Sequence, residues 1–375
     1  MKVGVLTYHH ACNYGAYLQA CALCSRLNQE QGVDAEIIDY RMAKEAEYYS
    51  SKFWSIKRKI LHFREYLFTM KVYKAFERAD WKTGKARKSE GSLVSDNQSE
   101  FKDFVNKKYD VIVAGSDEIW NTKSFRGFPT PYWLPDDLGA TKFSYAASSR
   151  VDFSKMGQEQ QNKVKELLSD FEFIGVRDDI TYNQVSSLID SQKVYMCCDP
   201  SFLYDFEVAE TIPNKITQAK GFDPSKKTVF IMTENNALAD KIVSISKGRY
   251  NLVSVFHWHK GCINVADLDP EEWLQTINSV DMVMASYFHA ICFSIMRRKP
   301  FLALETPGKS SKLMDLLGDT CFEQNFIRDA VNVLDESSIK KAISSKRENS
   351  YYDEFIGEKR STFTRFADEL KKYQE

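Results

Sequence analysis

The chain has 375 residues, 43% of them hydrophobic and 27% charged, and its 51 Lys and Arg nearly balance 52 Asp and Glu for a formal net charge of -1. That length and balance describe a globular chain long enough for two domains and exclude a disordered one. Near-neutrality also excludes a global nucleic-acid footprint, so no nucleic-acid partner is expected, and any anionic ligand must be gripped by local Arg, Lys and backbone N–H groups.

Residues 2–7 read as a strand from the outset. No apolar h-region with a small-residue cleavage site and no apolar run of membrane length occurs, so the expected location is the cytoplasm. A helix is predicted at 16–27 and a second strand at 35–39. The loop Tyr8-His9-His10-Ala11-Cys12-Asn13-Tyr14-Gly15 lies at a strand's carboxyl end and feeds a helix amino terminus, where Gly15 permits close backbone approach. Successive residues of such a loop point in different directions, and no carboxylate follows at ligand spacing. His9 and His10 therefore read as loop histidines beside a pocket, and no metal or cofactor is expected. The eight cysteines are scattered through apolar segments, as buried reduced thiols are. Cys21-Ala22-Leu23-Cys24 lies inside the first helix and has no second pair at zinc-finger spacing.

A helical insertion is predicted at about 45–100. Within 50–82 it is rich in aromatics and bases at helical spacing, which reads either as a hairpin packing on the domain or a second subunit, or as a basic helix on an anionic membrane surface. Residues 82–97 are polar and read as a loop. Strand character returns at 109–114, ending in Gly115-Ser116-Asp117-Glu118-Ile119-Trp120-Asn121, and again at 142–149. A helix at 157–170 leads to a strand ending at Arg177, and 194–198 closes the first half at Asp199.

The polar stretch 212–227 separates the halves, so the predicted domains are 1–211 and 212–375. Strands at 228–233, 253–256 and 280–285 restart the alternation with helices, the pattern of a parallel sheet covered on both faces. After 280–285 a helix is expected to begin near Ser286, whose hydroxyl can cap it. His289 then falls in the first turn, where the helix dipole disfavours added positive charge and keeps the imidazole neutral and able to take a proton. Pro300 opens another buried strand. Asp267-Leu268-Asp269 has the spacing of metal-dependent sugar transferases, but before Pro270 it reads as a helix cap. No Walker A or G-x-G-x-x-G sequence is present. Residues 351–373 form a last helix expected to cross back to the first half. Two such α/β halves, Rossmann-like and facing across a cleft, would gather these strand-end loops.

Asn13-Tyr14-Gly15-Ala16-Tyr17-Leu18-Gln19-Ala20, Gly115 to Asn121, Tyr145-Ala146-Ala147-Ser148, Val176-Arg177-Asp178, and Ser286-Tyr287-Phe288-His289-Ala290 through Lys299-Pro300-Phe301 together resemble the polysaccharide pyruvyl transferase family, in the family's order and over most of the chain. Tyr287, Ala290 and Glu118 depart from the residues most common there. The resemblance implies a GT-B-like fold and transfer of pyruvate from phosphoenolpyruvate to sugar hydroxyls, with ketal formation, in capsule or exopolysaccharide biosynthesis. A lipid-linked oligosaccharide acceptor would bring the protein to the inner face of the plasma membrane, with 50–82 as the contact. The oligomeric state is left open.

A donor carrying a carboxylate and a phosphate needs fixed cations and convergent N–H groups. Arg177 supplies a planar fork, and the helices beginning near Ser286-Tyr287 and Lys309-Ser310 supply two amino termini. His289 is the proton carrier. Asn13, Tyr14, Ser116, Asp117 and Asn121 suit sugar hydroxyls, although Asp117 reads equally as a turn-forming carboxylate. Two competing readings are a nucleotide-sugar glycosyltransferase of the same architecture and a non-catalytic relative.

Overall fold

Two six-stranded sheets carry the chain in a computed structural model that describes residues 1–49, 63–79, 83–307, 310–345 and 348–374. The first is built from β1 (Lys2–Leu6), β2 (Asp34–Ile37), β5 (Val111–Ala114), β6 (Thr141–Ala147), β7 (Phe171–Val176) and β8 (Val194–Met196), while β3 (Tyr40–Arg41) and β4 (Leu93–Val94) form a small separate ladder. The order is β2-β1-β5-β6-β7-β8, and every pairing is parallel. Parallel strands need helical crossovers on both faces, so their residues are apolar without alternation. Val111-Ile112-Val113-Ala114 is buried at every position for this reason.

The helix Tyr14–Leu27 follows β1 and is buried at all but one of its residues. It starts two residues earlier than its periodicity predicts, because the Asn13 side chain accepts hydrogen bonds from Gly15 N at 2.9 Å and Ala16 N at 3.3 Å. Aromatic rings fill the core beside β7, with Trp120 stacked on Trp133 at 5.5 Å between centroids and edge-on to Phe171 at 5.8 Å. All eight cysteines are thiols, and burial pushes those of Cys21 and Cys24 upward.

The second sheet comprises β9 (Thr228–Met232), β10 (Asn251–Ser254), β11 (Ile263–Asn264), β12 (Met282–Ala285), β13 (Phe301–Leu304) and β14 (Phe326–Ile327), again all parallel, in the order β11-β10-β9-β12-β13-β14. Counted within the sheet this is 3-2-1-4-5-6, the doubly wound order of dinucleotide-binding domains. Asp269 caps the helix Pro270–Ser279 as the D-x-D reading expected: it accepts from Glu272 N at 2.9 Å while the Glu272 carboxylate accepts from Asp269 N at 3.0 Å.

The chain divides into two compact units, one containing the described residues of Met1–Phe53, Asp80–Phe206 and Gly357–Glu375, the other those of Trp54–Ala79 and Glu207–Ile356. The helix Asn349–Lys371 therefore begins in the second unit and ends in the first. Its Tyr352 and Phe355 pack on Phe322, and its Phe363 and Phe366 pack on Tyr145. The helix Phe63–Glu77 groups with the second unit, although the sequence reading assigned 45–100 to the first. Phe68 and Val72 bury their side chains with Ala266, flanked by Phe76, Phe256 and Trp258. Much of this stripe is thus internal packing, while Phe63 and Leu67 are exposed. Residues 50–62 and 80–82 of the aromatic and basic segment lie outside the described residues. No helix among the described residues is long and apolar enough to cross a membrane.

One glycine is indispensable to the first sheet. Gly115 follows β5 with φ +143, and a Cβ there would run into the backbone carbonyl of Tyr145. Gly115→Ala is expected to lower stability by at least about 2 kcal/mol, because backbone strain and a clash with main chain act together. Chemical denaturation with a loss below about 0.5 kcal/mol would contradict this packing.

Candidate functional site

Ligands in doubly wound sheets bind at the carboxyl edge where the strand order reverses. In the first sheet that point lies between β1 and β5, and in the second between β9 and β12. Each gathers polar residues from two loops.

Between β1 and β5 the polar groups bind mostly one another. Thr7 Oγ1 donates to the Ser116 carbonyl at 3.3 Å, and the buried Ser116 hydroxyl donates to Gln19. Asp117 follows in the left-handed region at φ +72, and its carbonyl accepts from Ser148 N at 3.0 Å. Ala146 and Arg150 are left-handed as well, at φ +53 and +51. Non-glycine residues held this way cost about 1 kcal/mol or more each, and they cluster where surrounding structure imposes a functional geometry.

Arg177 lies at the end of β7 with its guanidinium among carboxylates. Nη1 donates to Asp199 Oδ2 at 2.9 Å, and Nη2 lies 3.5 Å from Asp117 Oδ1. Burial disfavours the cation, but Asp199 and Asp117 outweigh it and hold the guanidinium protonated. A substrate anion approaching Arg177 must therefore compete with Asp117. Asp178 is occupied differently, accepting from Ser148 Oγ at 2.6 Å and from Thr181 N at 2.9 Å as the cap of the helix Asp179–Leu188.

The residues predicted to meet sugar hydroxyls separate into two sets. Tyr14 and Ser116 are buried, and the structure employs them in packing and internal hydrogen bonding. Asn13 caps a helix yet stays half-buried, Asp117 is partly exposed, and Asn121 donates to Glu118 Oε2 at 3.2 Å on the same strand-end loop. These three reach the surface.

The two adjacent histidines do not diverge. His9 Nε2 lies 3.4 Å and His10 Nε2 2.5 Å from the same atom, Asp39 Oδ1, because the loop after β1 folds against the segment just past β2. Lys88 Nζ lies 2.8 Å from Asp39 Oδ2. Burial and the neighbouring His9 push His10 down to about 4. Burial works against the Asp39 anion, but hydrogen bonds from His10, His9 and Lys88 outweigh it and hold its carboxyl below the usual range.

At the second switch point the hydroxyl of Ser286 donates to Thr233 Oγ1 at 3.0 Å and does not cap the following helix. The helix is Phe288–Met296, its N-cap is Tyr287, and no side chain caps it. Ser286 is still part of β12's extended path, where its N–H pairs with Met232 O and its side chain turns to the neighbouring strand end. His289 occupies the second position of the helix and is buried, 9% exposed. Beside it a relay runs across the sheet edge: His257 Nε2 is 2.6 Å from the Tyr287 hydroxyl, which donates to Glu234 Oε2 at 3.4 Å. Burial and Glu234 both push the Tyr287 phenol upward, so it remains a donor. His259 Nε2 donates to the Thr233 carbonyl at 2.9 Å, and burial pushes its imidazole down, favouring the neutral ring. Lys309 lies outside the described residues, and Ser310 is described only as the first residue of the helix Ser310–Leu317.

Thr233, Glu234, His257 and His259 were missed in the sequence. His257-Trp258-His259 directly follows the predicted strand 253–256, so the rule that singled out His289 could have found them. Among the described residues the buried Thr306 hydroxyl, two positions past β13, has no hydrogen-bond partner, which marks it as another candidate.

Removing the Arg177 cation leaves the almost wholly buried Asp199 carboxylate uncompensated. Arg177→Met is expected to cost about 3–5 kcal/mol in urea denaturation, and adding Asp199→Asn should recover part of it. Strict additivity of the two changes would show that the pair is not coupled.

A model of the polysaccharide pyruvyl transferase family matches residues 13–307. Comparison with curated proteins by sequence gives no match. Among solved structures, the UDP-GlcNAc 2-epimerase of Methanocaldococcus jannaschii is similar with a TM-score of 0.56 at 11% identity, over 99% of this chain and 100% of that one. The UDP-GlcNAc 2-epimerase of Neisseria meningitidis, bound to UDP-GlcNAc, gives 0.51 at 12% identity, over 99% and 100%. The spinosyn forosaminyltransferase gives 0.51 at 10% identity, over 100% and 99%. At such identities the likeness concerns the fold, which is GT-B-like. The family match runs from the Asn13 cap through both switch points to the end of β13, and with it the chain belongs to the polysaccharide pyruvyl transferase family and is a transferase.

Proposed function

We propose that the protein transfers the pyruvyl group of phosphoenolpyruvate to two hydroxyls of a sugar acceptor, forming a ketal and releasing phosphate. The observation that carries this reading is His289, buried at the head of an uncapped helix at the second switch point, inside the family match. The positive end of that helix suits an anionic donor, and an imidazole there is placed to move the proton that the reaction requires.

In the reaction the first acceptor oxygen bonds the central carbon of the donor, and its proton ends on the methylene carbon, which becomes the methyl group. Phosphate leaves with the electrons of the broken C–O bond. The second hydroxyl oxygen closes the ketal and gives its proton to the phosphate. His289 carries the proton of the attacking hydroxyl, while Tyr287, the residue that precedes its helix, is held in place between His257 and Glu234. In the first unit, taken by itself, Asp117, Asn121 and Asn13 have the side chains that suit sugar hydroxyls, and Arg177 lies beside Asp117.

His289→Gln keeps a hydrogen-bonding group but cannot shuttle a proton near neutral pH. The variant is expected to bind phosphoenolpyruvate as before and to release phosphate in the presence of acceptor at least about a hundredfold more slowly. Turnover within a few-fold of wild type would remove the proton-transfer role. Loss of binding alone would make His289 an anion ligand.

The donor class is tested separately by thermal shift. Phosphoenolpyruvate should raise the melting temperature, as a ligand of the folded state must, and UDP-sugars should not. The reverse result would favour a nucleotide-sugar glycosyltransferase of this fold.

A further inference from the structure

We propose that His9, His10 and Asp39 form a binding site for one divalent transition-metal ion of the zinc class, at the carboxyl edge of β1 and β2. Their ligand atoms all lie within 4.8 Å of one another. Two imidazole nitrogens with one carboxylate oxygen are the donor set that zinc accepts, whereas calcium and magnesium prefer oxygen alone.

The clustering of these three ligand atoms carries the argument, and the orientation of His9 supports it. Its side chain is wholly buried, and its Nδ1 lies 3.1 Å from the Thr7 carbonyl oxygen, which can only accept, so Nδ1 bears the proton. Its Nε2 is thereby turned toward Asp39 Oδ1, 3.4 Å away. A proton on either ring would bridge that ring to Asp39 alone, whereas one metal ion would bridge His9, His10 and Asp39 together.

The spacing suits such an ion. Tetrahedral zinc with bonds of about 2.0–2.1 Å holds its ligand atoms about 3.3–3.4 Å apart, the present distance between His9 and Asp39. His10, now at 2.5 Å, must swing outward by a little under about 1 Å, and it is the most exposed of the three. The supporting contacts are also present. The Thr7 carbonyl orients His9, the Ser89 hydroxyl accepts from Asp39 N at 2.9 Å, and Lys88 engages the carboxylate oxygen that the histidines leave. Lys88, with Arg41 nearby, opposes an incoming cation, so the affinity should be moderate. Three protein ligands leave a fourth position for water on the exposed side of His10.

The test uses the untagged full chain in a Cys321→Ser background, because that thiol is exposed. After removal of metal with EDTA and dialysis, Co2+ is titrated and followed by visible absorption, then displaced by Zn2+. One equivalent is expected to bind with the bands of a tetrahedral nitrogen and oxygen site. His10→Gln, at a partly exposed position, should weaken binding at least about tenfold while the melting temperature without metal stays near wild type. Asp39→Asn should abolish binding. Less than about one-tenth of an equivalent bound, sulfur-ligand absorption, or unchanged binding in His10→Gln would each overturn the site. Metal content is read without turnover, so the outcome does not depend on the pyruvyl-transfer reading.

Discussion

Parallel strand pairing is the constraint on which the rest of this structure depends. Strands that run the same way must be joined by crossovers, and the crossovers cover both faces of each sheet, so neither face is left to bind a ligand. The remaining places for polar chemistry are the strand ends. Because β1 and β9 each sit inside their sheet with neighbours added on either side, the loops after them part from those after β5 and β12, and polar residues collect at those edges.

The two edges solve the problem of buried polarity differently. In the first unit the polar groups mostly engage one another: Arg177 engages Asp199 and Asp117, Ser148 engages Asp178, and Ser116 engages Gln19. Such a network is rigid, since withdrawing any partner leaves a costly unsatisfied group. Strained residues such as Asp117 are held in place by it. In the second unit the contacts form a chain across strand ends, Glu234 to Tyr287 to His257, and Ser286 is drawn to Thr233 in place of the helix it precedes. That choice leaves the helix Phe288–Met296 without a side-chain cap.

Much of this was legible from local pattern. The short apolar runs of β5, β9 and β12 are strands because both of their faces are covered, and His289 falls in a first helical turn because the run before it ends at a tight turn. Asp269 before Pro270 announced a helix cap, which the structure completes as a capping box with Glu272. Other features were illegible for a stated reason. Ser286 is a good cap by composition, yet a serine at a strand end can satisfy the neighbouring strand instead, and only the placement of Thr233 decides between them. The aromatic and basic segment 50–82 reads as a packing face before a membrane face, but what its helix Phe63–Glu77 packs on is not legible, because the contact with Ala266 arises from residues nearly two hundred positions away.

The sequence by itself determined the class of the fold, the position of the strand-end loops and the family, because these follow from periodicity and from motifs of contiguous residues. Tertiary structure alone decided which of those residues meet. Arg177 finds Asp199 and Asp117, and His9 and His10 find Asp39, across separations that no spacing rule reports. The physical reason is that hydrogen bonds and ion pairs act over a few ångströms in space, whereas the residues that make them are brought to one edge by strand order, which local propensity does not encode.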